Sequence, residues 1–434
     1  METSINVQQH LQYDETGRFS NMAEGLSGSE ILKIATEIRT LAAQGKKMCN
    51  LTVGDFSPTE FRIPLFLEEA IHRQYKNGQT NYPPSEGVPE LRAAIRKFYA
   101  DRLGLDYPEK SIIVCGGARP ITYSLFRTVV SPGDKVIAPV PSWNNHYYIH
   151  MAGAQGIPVQ CHADNSFLPT RDLLKDHVKD ARLITLNSPL NPTGTAFSRE
   201  ALEGICDLVL EENQRRAGKQ RPLYVLYDQI YWMLTFGQTR HFNPISLRPE
   251  LAPYVIFVDG ISKAFAATGV RVGWSAGPPD IIARMSAIIT HVGAWAPRAE
   301  QMATAELLQK PDVITDYHKT MITGLEDRLN LLYKRFTEMK NAGFPVTSIV
   351  PMGAIYLTAQ FDLIGKKNPH GGIFNTNEEI RQYLLHEAQF GVVHFPAFGY
   401  PAETGWFRLS VGAVSMEDIE AALPRVKAAL EKIR

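Results

Sequence analysis

Cysteine is scarce in this chain: four in 434 residues, Cys49, Cys115, Cys161 and Cys206, none in a C-x-x-C pair. That spacing excludes a zinc ribbon and offers no disulfide framework; it fits reduced core thiols in a cytoplasmic protein, and no metal site is expected. Charge of one sign is not in excess either, since Lys plus Arg and Asp plus Glu both number 45. Duplex-binding proteins carry a basic surplus, so no nucleic-acid partner is expected, and nothing draws the chain to an anionic membrane. No apolar run approaches the ~20 residues that span a bilayer. The N-terminus, METSINVQQHLQYDETGRFS, lacks the apolar stretch of a secretion signal. Repeats, low-complexity segments and the G-x-G-x-x-G fingerprint of a dinucleotide site are all missing.

What is present suits a globular protein. Hydrophobic residues make up 44% and charged residues 21%, enough apolar material for a large core. At about 150 residues per domain the length allows two or three units. Residues 1–26 are polar and aperiodic and read as an arm. Ser27 to Glu30 fits a capping box, and Ile31, Ile34, Ile38 and Leu41 follow at helical spacing up to Gly45. A Pro/Gly-bearing loop through Gly54, Pro58 and Pro64 leads to a second amphipathic helix at Leu91, Ile95 and Phe98.

From residue 112 short apolar runs alternate with helical stretches: Ile112–Cys115, Lys135–Ala138, Leu183–Leu186, Leu223–Tyr227, Tyr254–Val258 and Val270–Ser275. This alternation predicts an α/β fold, a mostly parallel sheet with helices on both faces. Beyond residue 300 come a long helix over Pro311 to Asn341, strands at Ile355–Phe361 and Trp406–Ser410, and a final helix from Met416 to Ile433. This tail reads as a smaller α+β unit.

Ligands of open parallel sheets bind at the carboxyl ends of the strands. After the first run stand Gly116, Gly117, Ala118 and Arg119, small residues entering a helix whose N–H groups suit a phosphate, or a tight turn. After the third comes Asn187-Ser188-Pro189-Leu190-Asn191-Pro192-Thr193-Gly194, which also reads as plain turn chemistry. After the fourth come Asp228 and Tyr231; the carboxylate is placed for a cation or a protonated ring nitrogen, or for a helix cap. After the fifth comes Ser262-Lys263, with Arg271 eight residues on. A lysine at a buried strand end is costly without a partner, and desolvation makes it a competent amine nucleophile; a snorkelling surface lysine is the plain alternative. Together, the amine, the carboxylate, the cradle and the Arg are the parts that hold pyridoxal phosphate.

With these residues in place, the chain resembles the class I/II aminotransferases of the fold-type I pyridoxal-phosphate enzymes over residues 27–434. "SKAFAATGVRVGW", "NSPLNPTG", "YDQIY" and "WFRLS" are similar to that family's lysine, Asn-Pro-Thr-Gly, Asp-x-x-Tyr and C-terminal Arg motifs. The resemblance implies a seven-stranded, mostly parallel sheet in a large domain (62–305), and a small α+β domain built from 27–61 and 306–434. It implies an aminotransferase moving an amino group between an L-amino acid and a 2-oxo acid through a Lys263 aldimine. Asp228 then pairs with the ring nitrogen, and Asn191 and Tyr231 bond the ring oxygen. Arg271, Gly117, Ala118, Arg119 and Ser262 hold the phosphate. Trp143 stacks on the ring, and Tyr82 reaches the phosphate of a second subunit in a homodimer. Arg408 clamps the substrate carboxylate near the Gly54 backbone. His146, beside Asn145, is a supporting candidate; Arg119, His291, Arg298 and Tyr356 are candidates for specificity. Gly260 stands where the family often has a phosphate-binding Ser. Lyases, decarboxylases and cyclopropane-forming synthases share the same residues, and a cofactor-bound sensor is a further alternative.

Overall fold

Apolar runs bounded by turn residues build the central sheet. A computed structural model of the chain describes residues 6–11, 17–26, 28, 30–143 and 145–433. After a two-residue strand β1 (Cys49–Asn50), seven strands assemble: β2 (Ile112–Cys115), β3 (Lys135–Val140), β4 (Gln155–Gln160), β5 (Ala181–Asn187), β6 (Tyr224–Asp228), β7 (Val255–Gly260) and β8 (Gly273–Ala276). Their order is β2-β8-β7-β6-β5-β3-β4. Only β8 runs against the rest, pairing antiparallel with β2 and β7.

Strand periodicity divides the side chains between two faces. Ile112 and Val114 face Leu91 and Ile95 of the Pro89–Leu103 helix. Ile113 and Cys115 face Ile121 and Leu125 of the Ala118–Val129 helix and Met285 and Ile289 of the Pro279–Val292 helix. Burial on both faces is why the strands read as continuous apolar runs. The register places strand ends side by side: Asn187 opposite Asp228, Asp228 opposite Val258, and Gly273 opposite both Cys115 and Gly260.

A second layer follows: β9 (Val346–Ser348), β10 (Tyr356–Phe361), β11 (Phe390–Gly391), β12 (Val393–His394) and β13 (Trp406–Ser410). Four of these form an antiparallel sheet in the order β12-β13-β10-β9, and β11 pairs with β1. The Pro311–Asn341 helix lays Leu325, Leu329, Leu332 and Phe336 at helical spacing against Phe361 and Phe407. Among the described residues no helix is long and apolar enough to cross a membrane.

The structure departs from the sequence reading in several places. The seventh strand, β4, is an exposed edge containing Pro158, where a missing N–H is tolerated. The Leu65–Lys76 helix follows Pro64 directly and was not anticipated, nor was the Asn377–Ala388 helix with its Thr376/Glu379 capping box. Residues 270–272 of the Val270–Ser275 run are not strand, because Arg271 takes the left-handed conformation at φ 61°. Ser27 and Ser29 of the expected capping box lie outside the described residues. The arm is not featureless: Ser20 caps a short helix, Asn21–Glu24, whose Met22 carbonyl lies 2.9 Å from His150 Nε2.

One ionic cluster ties the Glu30–Ala43 helix to the second layer. Nε2 of the buried His394 sits 3.2 Å from Glu30 and 3.4 Å from Glu378, while Arg381 bridges Glu378 and Glu37. Burial opposes the imidazolium, but its bonds to the two carboxylates prevail and raise His394 to about 8. A raised histidine stabilises the fold fully below its unfolded value, and the contribution is lost as pH rises through 8. Because Glu30 and Glu378 are half exposed, the screened contribution is roughly 1 kcal/mol. Urea midpoints at pH 6 and pH 9 are expected to differ more in the native protein than in His394→Gln; equal differences would rule the cluster out as a pH-dependent tie.

Candidate active site

At the carboxyl ends of β5, β6 and β7, closed over by β10 and β13, lies a cavity of about 590 Å³. Four cationic side chains line it, Arg119, Lys263, Arg271 and Arg408, against two carboxylates, Asp55 and Asp228.

Lys263 enters from the single helical turn Ile261–Ala264 that follows β7. Its Nζ donates to the Gly54 carbonyl at 2.6 Å. Burial lowers its pKa to about 8; Asp55 opposes this, and Arg408, Arg119 and Arg271 reinforce it. Asp228 ends the neighbouring strand. Its Oδ1 accepts the Ile230 N–H at 3.0 Å, and its Oδ2 has no partner among the described residues. Burial raises it to about 6, with the Ile230 bond and Lys263 pulling the other way.

Arg408, in the middle of β13, is fully buried. Its guanidinium lies 4.8 Å from the ring centroids of both Tyr356 and Phe398. Nη1 donates to Asn191 Oδ1 (3.2 Å) and Nη2 to the Thr52 carbonyl (2.6 Å), while the buried Nε has no partner. No carboxylate of the described residues pairs with it. A buried cation with a spare donor suits an incoming carboxylate. Gly54 leaves room for one: a Cβ there would stand 2.9 Å from Tyr356 Oη and 3.4 Å from Arg408 Nη1. Asn191 Nδ2 makes no bond among the described residues and lines the cavity, and Tyr231 Oη meets Tyr356 Oη at 2.5 Å.

The Asn-Pro-Thr-Gly turn also does mechanical work. The Gly194 carbonyl accepts the Met352 and Gly353 N–H groups, and Thr358 Oγ1 donates to the Thr193 carbonyl. The turn therefore locks the end of β5 to the strand that carries Tyr356.

The cradle is built from three glycines in contact. A Cβ on Gly273 would lie 2.6 Å from the Gly117 carbonyl carbon; one on Gly260 would lie 2.7 Å from Gly273 Cα; one on Gly117 would strike the Arg271 guanidinium. Arg271 is held over this floor by bonds from Nη1 to the Thr268 carbonyl and from Nη2 to the Gly116 carbonyl. Its left-handed φ is strain retained where function uses it. The Ala118 and Arg119 N–H groups open a 12-residue helix with no side-chain cap, and so remain available to an anion. The contact also explains the glycine at 260: a serine there has no space, and Ser262 is the hydroxyl that lines the cavity.

The remaining sequence candidates divide. Trp143 lines the cavity with the Arg119 guanidinium 5.6 Å from its ring, and Asn145 lines it too. Tyr356 joins them. His146 does not: it is exposed and lies outside the lining. His291 and Arg298 also lie outside. His291 is exposed near the end of its helix, and Arg298 bonds Gln79 and the Tyr82 carbonyl. Tyr82 is 82% exposed, edge-on to Trp295, and touches no part of the cavity of its own chain. Sequence reasoning missed Asp55 and Thr268, joined Oγ1 to Oδ1 at 2.6 Å, and Tyr148, Ile31 and Ala35 in the wall. Asp55 adjoins Gly54 and Thr268 lies within the quoted lysine motif, but no local pattern signals the bond that joins them.

A strand-end amine, a neighbouring acceptor-only carboxylate and an anion cradle define a pyridoxal-phosphate enzyme of fold-type I. The family model described as "Aminotransferase class I and II" matches residues 46–426. The chain is 30% identical over 410 residues to an aspartate aminotransferase of Bacillus sp. (strain YM-2), covering 94% of this chain and 97% of the relative. It is 30% identical to a probable aspartate/prephenate aminotransferase of Rhizobium leguminosarum bv. phaseoli, covering 92% and 95%. The crystal structure of the Rhizobium meliloti aspartate aminotransferase superposes with a TM-score of 0.87 at 27% identity, covering 96% of this chain and all of that one. The aromatic aminotransferase of Pyrococcus horikoshii gives 0.80 at 27%, covering 95% and 98%. The chain belongs to the class I and II aminotransferases, and its cofactor is pyridoxal 5′-phosphate. The residues fit that group: the surplus of positive charge, the glycine floor under Arg271 and the unpartnered Asp228 Oδ2 match a phosphate and a ring N–H.

Gly273→Ala tests the floor. The added methyl displaces Gly117, and cofactor affinity is expected to fall by about tenfold or more, as for lost charge-assisted bonds. Equilibrium dialysis measures it; native affinity would show that the three-glycine contact does not shape the cradle.

Proposed function

We propose that Lys263 carries the cofactor and moves the reacting proton in transfer of an amino group from an L-amino acid to a 2-oxo acid. The observation that carries this reading is the amine at the end of β7, held on the Gly54 carbonyl beside Asp228 and Arg408. When bound, the cofactor supplies an electrophilic aldehyde and an electron-accepting ring.

The chain's own residues divide the remaining work. Arg408 takes the substrate α-carboxylate through its spare donors, with Asn191 fixing one edge of the fork. Asp228 keeps the proton on the ring nitrogen, a charge its enclosed carboxylate favours. Asn191 Nδ2 and Tyr231 Oη face the ring oxygen, and Trp143 covers one ring face. Gly117, Ala118, Arg119, Ser262 and Arg271 take the phosphate. With its pKa near 8, Lys263 is partly free amine at neutral pH, so it could accept the proton from the substrate Cα and return it on the far side of the amino nitrogen, two atoms along. Ile31, Ala35 and Trp143 leave an apolar wall for the substrate side chain, with Arg119 as the cation beside it. The relatives named for aspartate, prephenate and aromatic substrates support acidic or aromatic amino acids as the first to assay.

Separate cores around the main sheet and around the Pro311–Asn341 helix support a large domain at 62–305 and a small one from 27–61 and 306–434. The exposed Tyr82, outside its own cavity, supports a homodimer in which it reaches the partner's phosphate. Four buried free cysteines support a reducing, cytoplasmic location.

Lys263→Ala is expected to fold with a native melting temperature and to lose at least about a thousandfold in turnover. Asp228→Ala is expected to lose a similar factor. The measurement is pyridoxamine phosphate formed from a panel of amino acids. Native rates in Lys263→Ala would reject the assignment; release of pyruvate and ammonia without an acceptor would indicate a lyase instead.

A further inference from the structure

Behind the lysine lies a second buried carboxylate that the proposed reaction does not use. Asp259 is the penultimate residue of β7, between Val258, which pairs with Asp228 on the next strand, and the Gly260–Lys263 turn. It is 1% exposed and has no cationic partner among the described residues. A buried charge in that condition is costly unless its lone pairs are filled.

They are filled. Oδ1 accepts the Gly260 N–H at 2.7 Å. Oδ2 accepts Tyr99 Oη–H (2.8 Å), Trp232 Nε1–H (3.0 Å) and, at the limit of reach, Gln229 Nε2–H (3.4 Å). The proton inventory fixes the direction of these bonds. Tyr99 Oη itself receives Trp274 Nε1–H (3.1 Å) and Gln229 Nε2–H (3.2 Å), so its own proton points to Asp259. Trp232, Trp274 and the Gly260 amide can only donate. His241 Nε2 lies 3.3 Å from Gln229 Oε1, and burial lowers this histidine to about 3, so it is neutral and donates there. Every polar neighbour therefore offers a hydrogen and none offers an acceptor. Burial pushes Asp259 up to about 7, while its donors hold it toward the anion.

The placement matters more than the charge count. Gln229 directly follows Asp228, and its backbone N–H bonds the Val258 carbonyl. Gly260 begins the turn that carries Lys263 and rests on Gly273, part of the phosphate floor. One carboxylate thus grips, from outside the cavity, the strand end bearing the ring-nitrogen partner and the turn bearing the amine.

We propose that Asp259 is a positioning residue for the transamination: an anion that never touches substrate or cofactor but keeps Lys263 in register with Asp228 through Gly260 and Gln229. Tyr99, Trp232, Trp274 and His241 are its hydrogen-bonded collar. This rests on the reading of Lys263 above, and the two can fail separately: if Lys263 were not the amine, Lys263→Ala would keep its turnover whatever Asp259→Asn did.

The test uses Asp259→Asn in the holoenzyme, with the cofactor-free protein as a second readout. The amide keeps the volume and replaces an acceptor with a donor facing donors. The rate constant of the first half-reaction is expected to fall about tenfold or more, with the amino-acid KM changed less than about threefold. In the cofactor-free protein, the pH midpoint of Lys263 acylation is expected to move by about half a unit or more as the amine shifts among its neighbours. Trp232→Phe, which removes one donor and leaves the carboxylate, is expected to show a smaller loss of the same kind. If Asp259→Asn does not fold, the Trp232→Phe, Tyr99→Phe double variant takes its place with the same two readouts. A lowered melting temperature with native half-reaction rate and native acylation midpoint would overturn the proposal and leave Asp259 as a packing residue only.

Discussion

Uncompensated positive charge in one cavity is the constraint on which the rest of this structure depends. Arg408 is fully buried yet pairs with no carboxylate among the described residues, and Lys263, Arg119 and Arg271 surround the same space. Desolvated cations of this kind are tolerated when an anion completes them. The glycine floor and the helix start fit a phosphate. The space beside Gly54 fits a carboxylate. Between them stands Lys263, whose pKa burial lowers to about 8 while Asp55 opposes and the three arginines reinforce the shift. The cations that line the two anion sites therefore add to the effect of burial on the amine.

The scaffold serves that constraint through close backbone approach. Gly117, Gly273 and Gly260 bring β2, β8 and β7 together so tightly that no side chain fits, which aims Arg271 and the free N–H groups at one point. The Asn-Pro-Thr-Gly turn clamps β5 onto β10, and Asn191 bonds Arg408 on the adjacent β13. The second layer, carrying Arg408 on β13, is tied to the Glu30–Ala43 helix, whose Ile31 and Ala35 form part of the cavity wall. The cavity wall thus draws on elements distant in sequence, an arrangement suited to closure on binding.

Much of this was legible in the residues, for physical reasons. Strands buried on both faces announce themselves as apolar runs, and six of the seven were read within a few residues of their bounds. The Pro311–Asn341 helix was legible because Leu325, Leu329, Leu332 and Phe336 keep one face apolar. Lys263 and Asp228 stood out because charged residues at buried strand ends need a reason; Asn191, which reads alone as a turn residue, and Arg408 became legible through the motifs that resemble the family's. Strand β4 did not, being exposed and interrupted by Pro158, and neither did the Leu65–Lys76 helix, whose charged residues dilute its pattern. Asp55, Thr268 and the Asp259 collar were hidden for another reason. Their meaning lies in contacts between segments over a hundred residues apart, such as Tyr99 with Asp259 and Thr268 with Asp55, and no local pattern encodes those. His146, His291 and Arg298 show the converse: a suitable residue type near a motif, placed by the fold outside the site.

The most direct measurement of the central claim is chemical. The yellow holoprotein is treated with borohydride, digested, and the peptide bearing the reduced cofactor is sequenced by mass spectrometry. The account predicts a single modified peptide, with the cofactor fixed on the nitrogen of Lys263. A colourless protein that takes up no cofactor, or a label on any other lysine, would contradict it.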